Sequence, residues 1–261
     1  MANFKVYYHT SETMYEVEGK SIQTIVTSPP YNINREYENG YDDGKNWIEY
    51  SMMLTRVFAE CYRVLKDNGA MFVNIGNNVK DPQKSFRIVK LITDLGFYLR
   101  DTVIWLKTNP VPNNGFHLTN RYEFVFLFAK KKSDRIKFKK LRISNEKIGK
   151  VDKWGRERKQ EWRDIGNVWS FPVVKQGWFG DDGHCAMFPA DLPKLAILSS
   201  SDKRDFILDP FLGSATTCQV ALHLKRKCIG YDINKKYKKI IEKKIKKTPK
   251  FMVNVKSDLF N

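Results

Sequence analysis

The chain has 261 residues, 42% of them hydrophobic, which is enough for one sizeable core with a small appended lobe. Its 46 Lys and Arg outnumber 29 Asp and Glu, and the resulting net charge of +17 favours a polyanionic partner over an uncharged or acidic one. No apolar stretch approaches the ~18 residues of a membrane span, and no signal peptide is visible at the N-terminus, so we expect a cytoplasmic protein.

The four cysteines, Cys61, Cys185, Cys218 and Cys228, are scattered along the chain. None of them forms a Cys-x-x-Cys pair, so the sequence predicts no zinc site and no other metal centre. Scattered cysteines are typical of reduced residues that pack as small hydrophobic groups. We therefore expect most of the four to be reduced residues of the core.

The first part of the chain alternates apolar runs with segments of helical periodicity. Apolar runs predict strands at 4–8, 24–26 and 70–75, and recurring apolar positions predict helices at 47–65 and 86–95. Strands that alternate with helices predict an α/β fold with a mostly parallel sheet.

Residues 27–32, with the sequence Thr-Ser-Pro-Pro-Tyr-Asn, directly follow the second predicted strand. The two prolines lack a backbone N–H and have a fixed φ, so the turn is stiff and its carbonyl oxygens have no strand partners. The Ser28 hydroxyl and the Tyr31 ring accompany those oxygens. Hydrogen-bond acceptors beside an aromatic face suit a planar ring with an exocyclic amine. The alternative is a proline-rich turn that only ends a buried strand.

Residues 130–166 interrupt the alternation of strands and helices. Basic residues crowd this segment together with aromatic ones, a mixture that fits a nucleic-acid surface. The alternative is a small structural lobe with a charged outer face. A second basic stretch, 235–247, is predicted as a helix with a solvated lysine face, and 251–255 as the last strand. The residues that we assign to nucleic-acid binding are Lys139, Lys140, Arg142, Arg156, Arg158 and Arg163.

A second motif occupies residues 209–217, with the sequence Asp-Pro-Phe-Leu-Gly-Ser-Ala-Thr-Thr. It lies between the apolar run 206–208 and an amphipathic helical pattern that extends to Leu224. A strand, a glycine-containing turn and a helix form the arrangement that binds nucleotides at a helix N-terminus. About 20 residues later a further apolar run ends in Asp232, at the spacing of an acid that binds ribose hydroxyls.

Together the two motifs resemble those of the beta-group DNA amino-methyltransferases, in which the catalytic strand comes early and the cofactor strand late. The resemblance covers nearly the whole chain. It implies a circularly permuted, Rossmann-like α/β methyltransferase fold, with a mostly parallel sheet, an antiparallel edge hairpin and a small target-recognition segment. It divides the chain into a catalytic half at 1–129, a target-recognition segment at 130–170 and a cofactor-binding half at 171–261.

The resemblance also implies the roles of individual residues. The catalytic residues are Ser28, Pro29, Pro30 and Tyr31: the Ser28 hydroxyl and the Pro29 carbonyl accept hydrogen bonds from the amine, and Tyr31 stacks on the base. One departure from the family is Ala215, which stands where a second glycine is usual. The residues implied to hold the cofactor, S-adenosylmethionine, are Thr27, Phe188, Asp209, Phe211, Gly213, Ser214 and Asp232.

The implied reaction transfers a methyl group to the exocyclic amine of a base flipped out of double-stranded DNA. In this family a serine before Pro-Pro-Tyr goes mostly with cytosine, so Ser28 favours N4-cytosine over the alternative, N6-adenine. No Pro-Cys dipeptide occurs, so methylation of a ring carbon through a cysteine nucleophile is not expected.

Three further questions stay open at this point. The same chemistry could act on a cytidine of ribosomal RNA, because nothing in the motifs separates the two nucleic acids. A nucleic-acid-binding protein with an inactive site, suggested only by Ala215, is the alternative of another class. Among protein partners, the resemblance allows a cognate restriction endonuclease that acts on the same DNA site, and the chain could be a monomer or a homodimer.

Overall fold

The structure, a computed structural model, describes residues 3–32, 43–76, 81–110, 112, 117–132, 136–144, 155–156, 162–174 and 188–257. Its strands are β1 Phe4–Tyr7, β2 Ile22–Thr27, β3 Leu65–Ile75, β4 Tyr98–Lys107, β5 Tyr122–Ala129, β6 Leu141–Ser144, β7 Trp162–Asp164, β8 Val168–Phe171, β9 Phe206–Asp209, β10 Lys227–Tyr231 and β11 Val255–Ser257. Its helices are α1 Trp47–Val64, α2 Lys84–Asp94, α3 Asp191–Ser200, α4 Thr216–His223 and α5 Lys238–Ile245.

An eight-stranded sheet, in the order β1-β10-β9-β2-β3-β5-β4-β8, forms the centre of the protein. Strands β1, β10, β9, β2 and β3 are parallel to their neighbours. Strand β5 runs antiparallel to both β3 and β4, and β8 pairs parallel to β4. The predicted α/β fold with a mostly parallel sheet and an antiparallel hairpin is therefore confirmed, although β8, which was not predicted, lies outside the hairpin.

Helices cover both faces of this sheet, which explains why all six residues of β2 are buried. Neighbouring side chains of a strand point to opposite faces, so Ile25 packs with apolar residues of α1 and α2. Val26 packs on the other face with apolar residues of α3, α4 and α5. None of the helices within the described ranges has both the length and the apolar character that crossing a membrane requires.

A second sheet of three strands, in the order β11-β6-β7, lies beside the main one. Strand β11 pairs antiparallel with β6 and thereby brings the last described residues to the basic segment. The predicted last strand at 251–255 is wrong in its position, because the structure begins this strand at Val255. The predicted division into two halves and a recognition segment stays a prediction.

The expectation of reduced cysteines is wrong for Cys218 and Cys228, which form a disulfide. The reason is topological: α4 follows β9 and packs against β10, so the Cα atoms of the two residues are 5.3 Å apart. Cys61 is buried and is not part of a disulfide. Cys185 lies outside the described residues.

Candidate active site

The two sequence motifs meet at one edge of the sheet, where β2 and β9 end side by side. The strands are parallel neighbours, with Ile25 aligned to Leu208, so the turns that follow them come together. At that edge the Thr27 hydroxyl donates a hydrogen bond to Oδ1 of Asp209 across 2.8 Å. The edge beyond the carboxyl ends of parallel strands is the usual ligand site of α/β folds. The turn after β2 and the glycine turn after β9 therefore form one candidate site.

Side chains from two helices hold the turn after β2. The Tyr50 hydroxyl donates to the Pro30 carbonyl at 2.6 Å, and Nζ of the buried Lys84 donates to the Tyr31 carbonyl at 2.7 Å and to the Asn32 carbonyl at 3.0 Å. Burial lowers the pKa of Lys84. No residue within the described part of the chain donates to the Pro29 carbonyl, so the oxygen that we assign to the amine is not used by the fold.

A polar network lies beneath the same turn. The Tyr31 hydroxyl contacts Oε2 of Glu123 at 3.0 Å, and the Ser28 hydroxyl donates to the Tyr31 oxygen at 3.2 Å. Nδ2 of Asn74 donates to the same Glu123 oxygen at 3.0 Å. Nζ of Lys107 forms an ion pair with Oε1 of Glu123 at 2.9 Å. Burial, and then the charge of Glu123, raise the pKa of Tyr31 well above its usual value of 10.0, so the phenol keeps its proton.

Sequence reasoning missed Asn74, Glu123 and Lys107 as members of this site. One signal was available for two of them. Asn74 is a polar residue in the apolar run of β3, and Glu123 occupies the same kind of position in β5. A buried polar side chain requires a partner, so polar residues within apolar strands deserve a functional hypothesis.

Asp209 ties the site together from below. It is 1% exposed, and its Oδ1 accepts hydrogen bonds from Thr27 at 2.8 Å and from the Phe211 amide at 3.1 Å. Its Oδ2 accepts from the Thr217 hydroxyl at 2.7 Å. Burial raises the pKa of Asp209 to about 6 although these hydrogen bonds favour the charged form. The carboxylate thus joins the end of β2, the glycine turn and α4.

Asp232, at the end of β10, contacts the glycine turn from the other side. Its Oδ2 accepts a hydrogen bond from the Gly213 amide at 2.8 Å and its Oδ1 one from the Asn234 amide at 2.7 Å. Burial raises the pKa of Asp232 to about 6. Each carboxylate oxygen has two acceptor positions, so Asp232 can hold the turn and still accept hydrogen bonds from a ligand.

The rest of the glycine turn contains two unexpected features. Ala215 is fully buried and has φ +64° and ψ +33°, a left-handed conformation that favours glycine. Ser214 is buried, and its hydroxyl accepts a hydrogen bond from Nζ of Lys244 at 2.8 Å. The same ammonium contacts Oγ1 of Thr216 at 2.7 Å. Lys244 is therefore an exception to the solvated lysine face predicted for its helix.

Two aromatic residues assigned to the cofactor lie on opposite sides of the sheet. Phe188 is partly buried and packs against the core cluster that contains α3 and α4. Phe211 is partly buried and packs against the cluster that contains α1 and α2. The structure therefore places Phe211 directly in the glycine turn, and Phe188 just before α3.

The predicted nucleic-acid residues have different environments. Nζ of Lys139 forms an ion pair with Asp202 and donates to the Ser201 carbonyl at 2.9 Å, and its side chain is only 12% exposed. Lys139 thus connects the basic segment to the end of α3. The side chains of Lys140 and Arg156 are exposed, and Arg158 lies outside the described residues.

Arg142 and Arg163 are on opposite faces of the three-stranded sheet. Arg142 pairs with Asp164, whereas Arg163 pairs with Ile143, and successive residues of a strand alternate between faces. Leu141, which shares the face of Ile143, is buried in the core. The face that carries Arg142 is therefore the outward one, and Arg163 is an exposed residue on the face that packs against the protein.

Comparison with known proteins gives a consistent picture. The DNA methylase family matches residues 22–243. The type II methyltransferase M.BglII of Bacillus subtilis is 30% identical over 237 residues, which are 87% of this chain and only 64% of that protein. The DNA adenine methyltransferase YhdJ of Escherichia coli (strain K12) is 29% identical over 231 residues, with 86% of this chain and 76% of that protein covered.

Among solved structures, PvuII DNA methyltransferase (cytosine-N4-specific) has the same fold, with a TM-score of 0.65 and 19% identity over 94% of both chains. The similar proteins thus include one named for adenine and one named for cytosine. The family match spans most of this chain. The chain therefore belongs to the DNA methylases that act on exocyclic amines, which confirms the predicted family and its cofactor, S-adenosylmethionine.

Proposed function

We propose that this chain methylates the exocyclic N4 of a cytosine flipped out of double-stranded DNA. The observation that carries the proposal is the hydrogen bond between Thr27 and Asp209, because it fixes the Ser28 turn beside the glycine turn. Binding both reactants at adjacent turns lowers the barrier by positioning them in line, a contribution of several kcal/mol in well-oriented reactions. The cofactor supplies the methyl group on a positively charged sulfonium.

The chain's own residues would prepare the amine. The lone pair of a cytosine amine is delocalised into the ring, which makes the nitrogen a weak nucleophile. The Ser28 hydroxyl and the Pro29 carbonyl would accept the two amine protons, and this favours a more tetrahedral nitrogen whose lone pair points outward. Tyr50 and Lys84 support this arrangement, because their hydrogen bonds to neighbouring carbonyls fix the turn.

The residues at the glycine turn fit the cofactor. Asp232 is placed to accept hydrogen bonds from ribose hydroxyls while it holds Gly213. Phe211 and Ser214 belong to the same turn, and Phe188 would close the pocket from the segment before α3. Thr27 and Asp209 would act by joining the two turns, since the hydrogen bonds of the Asp209 carboxylate are made within the protein.

The basic segment would bind the DNA backbone. We assign phosphate contacts to Arg142 on the outward face of the small sheet, and to Lys140, Arg156, Arg158 and Arg163 around it. Lys139 we assign to the fold, because its ammonium is engaged by Asp202. The net charge of +17 favours association with any polyanion, so charge alone does not separate DNA from RNA.

The substrate is tested by labelled methyl transfer to two nucleic acids in parallel, unmethylated duplex DNA and ribosomal RNA. The proposal predicts transfer to the DNA at a rate at least tenfold above that to the RNA. A clear preference for RNA would move the substrate to the alternative. Binding of DNA without any binding of S-adenosylmethionine in calorimetry would support the inactive-site alternative.

A further inference from the structure

A chain of hydrogen bonds connects Glu123 to the catalytic serine through one phenol. Oε2 of Glu123 lies 3.0 Å from the Tyr31 hydroxyl oxygen, which in turn lies 3.2 Å from the Ser28 hydroxyl oxygen. The amide oxygen of Asn74 is a competing acceptor for the Tyr31 proton, but it is farther away, at 3.4 Å. A carboxylate is also the stronger acceptor. Because a phenol has only one proton, Tyr31 donates it to Glu123.

This choice determines the direction of the next hydrogen bond. Once the Tyr31 proton points to Glu123, only lone pairs of the Tyr31 oxygen face Ser28. The Ser28 hydroxyl must then donate its own proton to Tyr31. What remains on the Ser28 oxygen are lone pairs, and these can only accept hydrogen bonds.

We infer that Glu123 is a positioning residue, which orients the chain through Tyr31 so that Ser28 presents a lone pair to the substrate. The inference rests on the proposed function and names what selects its substrate. A lone pair on Ser28 attracts a base with an amine at this position and repels a base with a carbonyl oxygen there. The site therefore discriminates cytosine from thymine and uracil, in addition to any discrimination by shape.

The surroundings of Glu123 keep it an acceptor. Nζ of Lys107 forms an ion pair with the other carboxylate oxygen at 2.9 Å, and both side chains are less than 15% exposed, at 13% and 14%. The Asn74 amide group donates to Glu123 at 3.0 Å and to the Phe124 carbonyl at 3.1 Å, which fixes the orientation of the amide. All these partners donate hydrogen bonds or carry positive charge, so they favour a charged carboxylate.

Glu123→Gln tests the inference, because an amide of the same shape can donate to the Tyr31 oxygen. Tyr31 would then donate to Ser28, and Ser28 would direct its proton at the amine. We measure methyl transfer to unmethylated duplex DNA of mixed sequence at saturating DNA, and cofactor binding by calorimetry. The expected result is a kcat lower by about tenfold to a hundredfold, with the cofactor Kd unchanged within about twofold.

A double-mutant comparison separates this role from simple support of the fold. Tyr31→Phe removes the hydroxyl through which Glu123 acts, so adding Glu123→Gln to it should cause no further loss of kcat. Losses that multiply in the double variant would overturn the inference. The matched control is Asp101→Asn, the same change at an exposed position of the neighbouring strand β4, for which we expect wild-type kcat.

The remaining outcomes also decide the question. A wild-type kcat for Glu123→Gln would overturn the inference and leave the proposed function intact. If Glu123→Gln does not fold, Tyr31→Phe alone is decisive, since it leaves Glu123 with Asn74 and Lys107, and a wild-type kcat in that variant would overturn the inference. Absence of methyl transfer by the wild-type protein would instead overturn the proposed function, and the inference with it.

Discussion

The hydroxyl of Thr27 and the carboxylate of Asp209 form a 2.8 Å hydrogen bond between residues that are 182 positions apart in the chain. Each residue is the last of its strand, and the strands are parallel neighbours. The contact is buried, so it is not exchanged for a contact with water. One side-chain pair thus sets the distance between the turn that would hold the base and the turn that would hold the cofactor.

The raised pKa of Asp209 predicts a pH-dependent stability. Burial raises this pKa from 3.8 to about 6, so between these values the folded state holds the proton more often than the unfolded chain. The contribution of Asp209 to the free energy of unfolding therefore falls as the pH rises through this window. Asp209→Asn removes it, so the stability of the variant relative to wild type should rise by on the order of 2 kcal/mol between pH 4 and pH 7.

Urea unfolding of both proteins at several pH values measures this difference directly. Taking the difference cancels the titration of all other groups that the substitution leaves unchanged. A difference that stays constant over this range would contradict the buried, raised carboxyl group.

Lys84→Met should impair catalysis more than cofactor binding. The Lys84 ammonium holds the carbonyls of Tyr31 and Asn32, and the thioether cannot donate to either. We expect kcat to fall by about tenfold or more, with the cofactor Kd unchanged in calorimetry. The control is Lys90→Met in the same helix, where the lysine is 76% exposed and pairs only with Asp94. Equal kcat values in the two variants would remove Lys84 from the site.

Ala215→Gly should stabilise the protein. Ala215 has a left-handed backbone with φ +64°, which costs an L-residue roughly 1–2 kcal/mol, and glycine adopts it without strain. Glycine loses part of this gain through its larger entropy in the unfolded chain, so the expected net gain is about 1 kcal/mol. Chemical denaturation measures it. Ala221→Gly, inside α4, is the control and should destabilise; a loss of stability in both variants would contradict the strain at Ala215.

Thiol counting tests the disulfide between Cys218 and Cys228. Alkylation of the denatured protein, followed by mass spectrometry, should label two more thiols after reduction than before. Reduction should also lower the free energy of unfolding by about 3 kcal/mol, the expected effect of opening a loop of this length. Cys218→Ser should abolish the difference in labelling. Equal labelling with and without reductant in the wild-type protein would show that the two thiols are reduced.

The opposite orientations of Arg142 and Arg163 predict unequal contributions to DNA binding. Arg142 lies on the outward face of the small sheet, whereas Arg163 shares the face of Ile143. Arg142→Ala should reduce the slope of log K against log salt by about 0.9, the effect of losing one phosphate contact. Arg163→Ala should reduce it less. Fluorescence anisotropy with a labelled duplex at several salt concentrations measures both slopes, and a larger effect of Arg163→Ala would contradict the assigned faces.

Local signals made the centre of the site predictable. The paired prolines before Tyr31, the glycine turn around Gly213 and the spacing to Asp232 are each contained within a few neighbouring residues or follow a fixed interval. The structure brings Gly213 and Asp232 into contact, with a hydrogen bond of 2.8 Å. The order of the two motifs along the chain was sufficient to predict the family and its fold.

The support of the site was not predictable, because it depends on contacts between distant segments. Lys84 and Glu123 reach Tyr31 from 53 and 92 positions away, and only the sheet topology brings them there. Strands β6, β7, β8 and β11 have 3 or 4 residues each, too few for a clear alternation of apolar and polar positions. Lys244 was predicted as a solvated residue because nothing in a lysine-rich helix distinguishes the one lysine that reaches Ser214.

Nucleoside mass spectrometry of unmethylated duplex DNA, incubated with the protein and S-adenosylmethionine, tests the central claim most directly. Ser28→Ala serves as the variant in which the acceptor hydroxyl is absent. The account predicts N4-methylcytosine as the product of the wild-type protein and a loss of most of it with Ser28→Ala. N6-methyladenine in place of N4-methylcytosine would contradict the role that we give to Ser28 in the choice of the base.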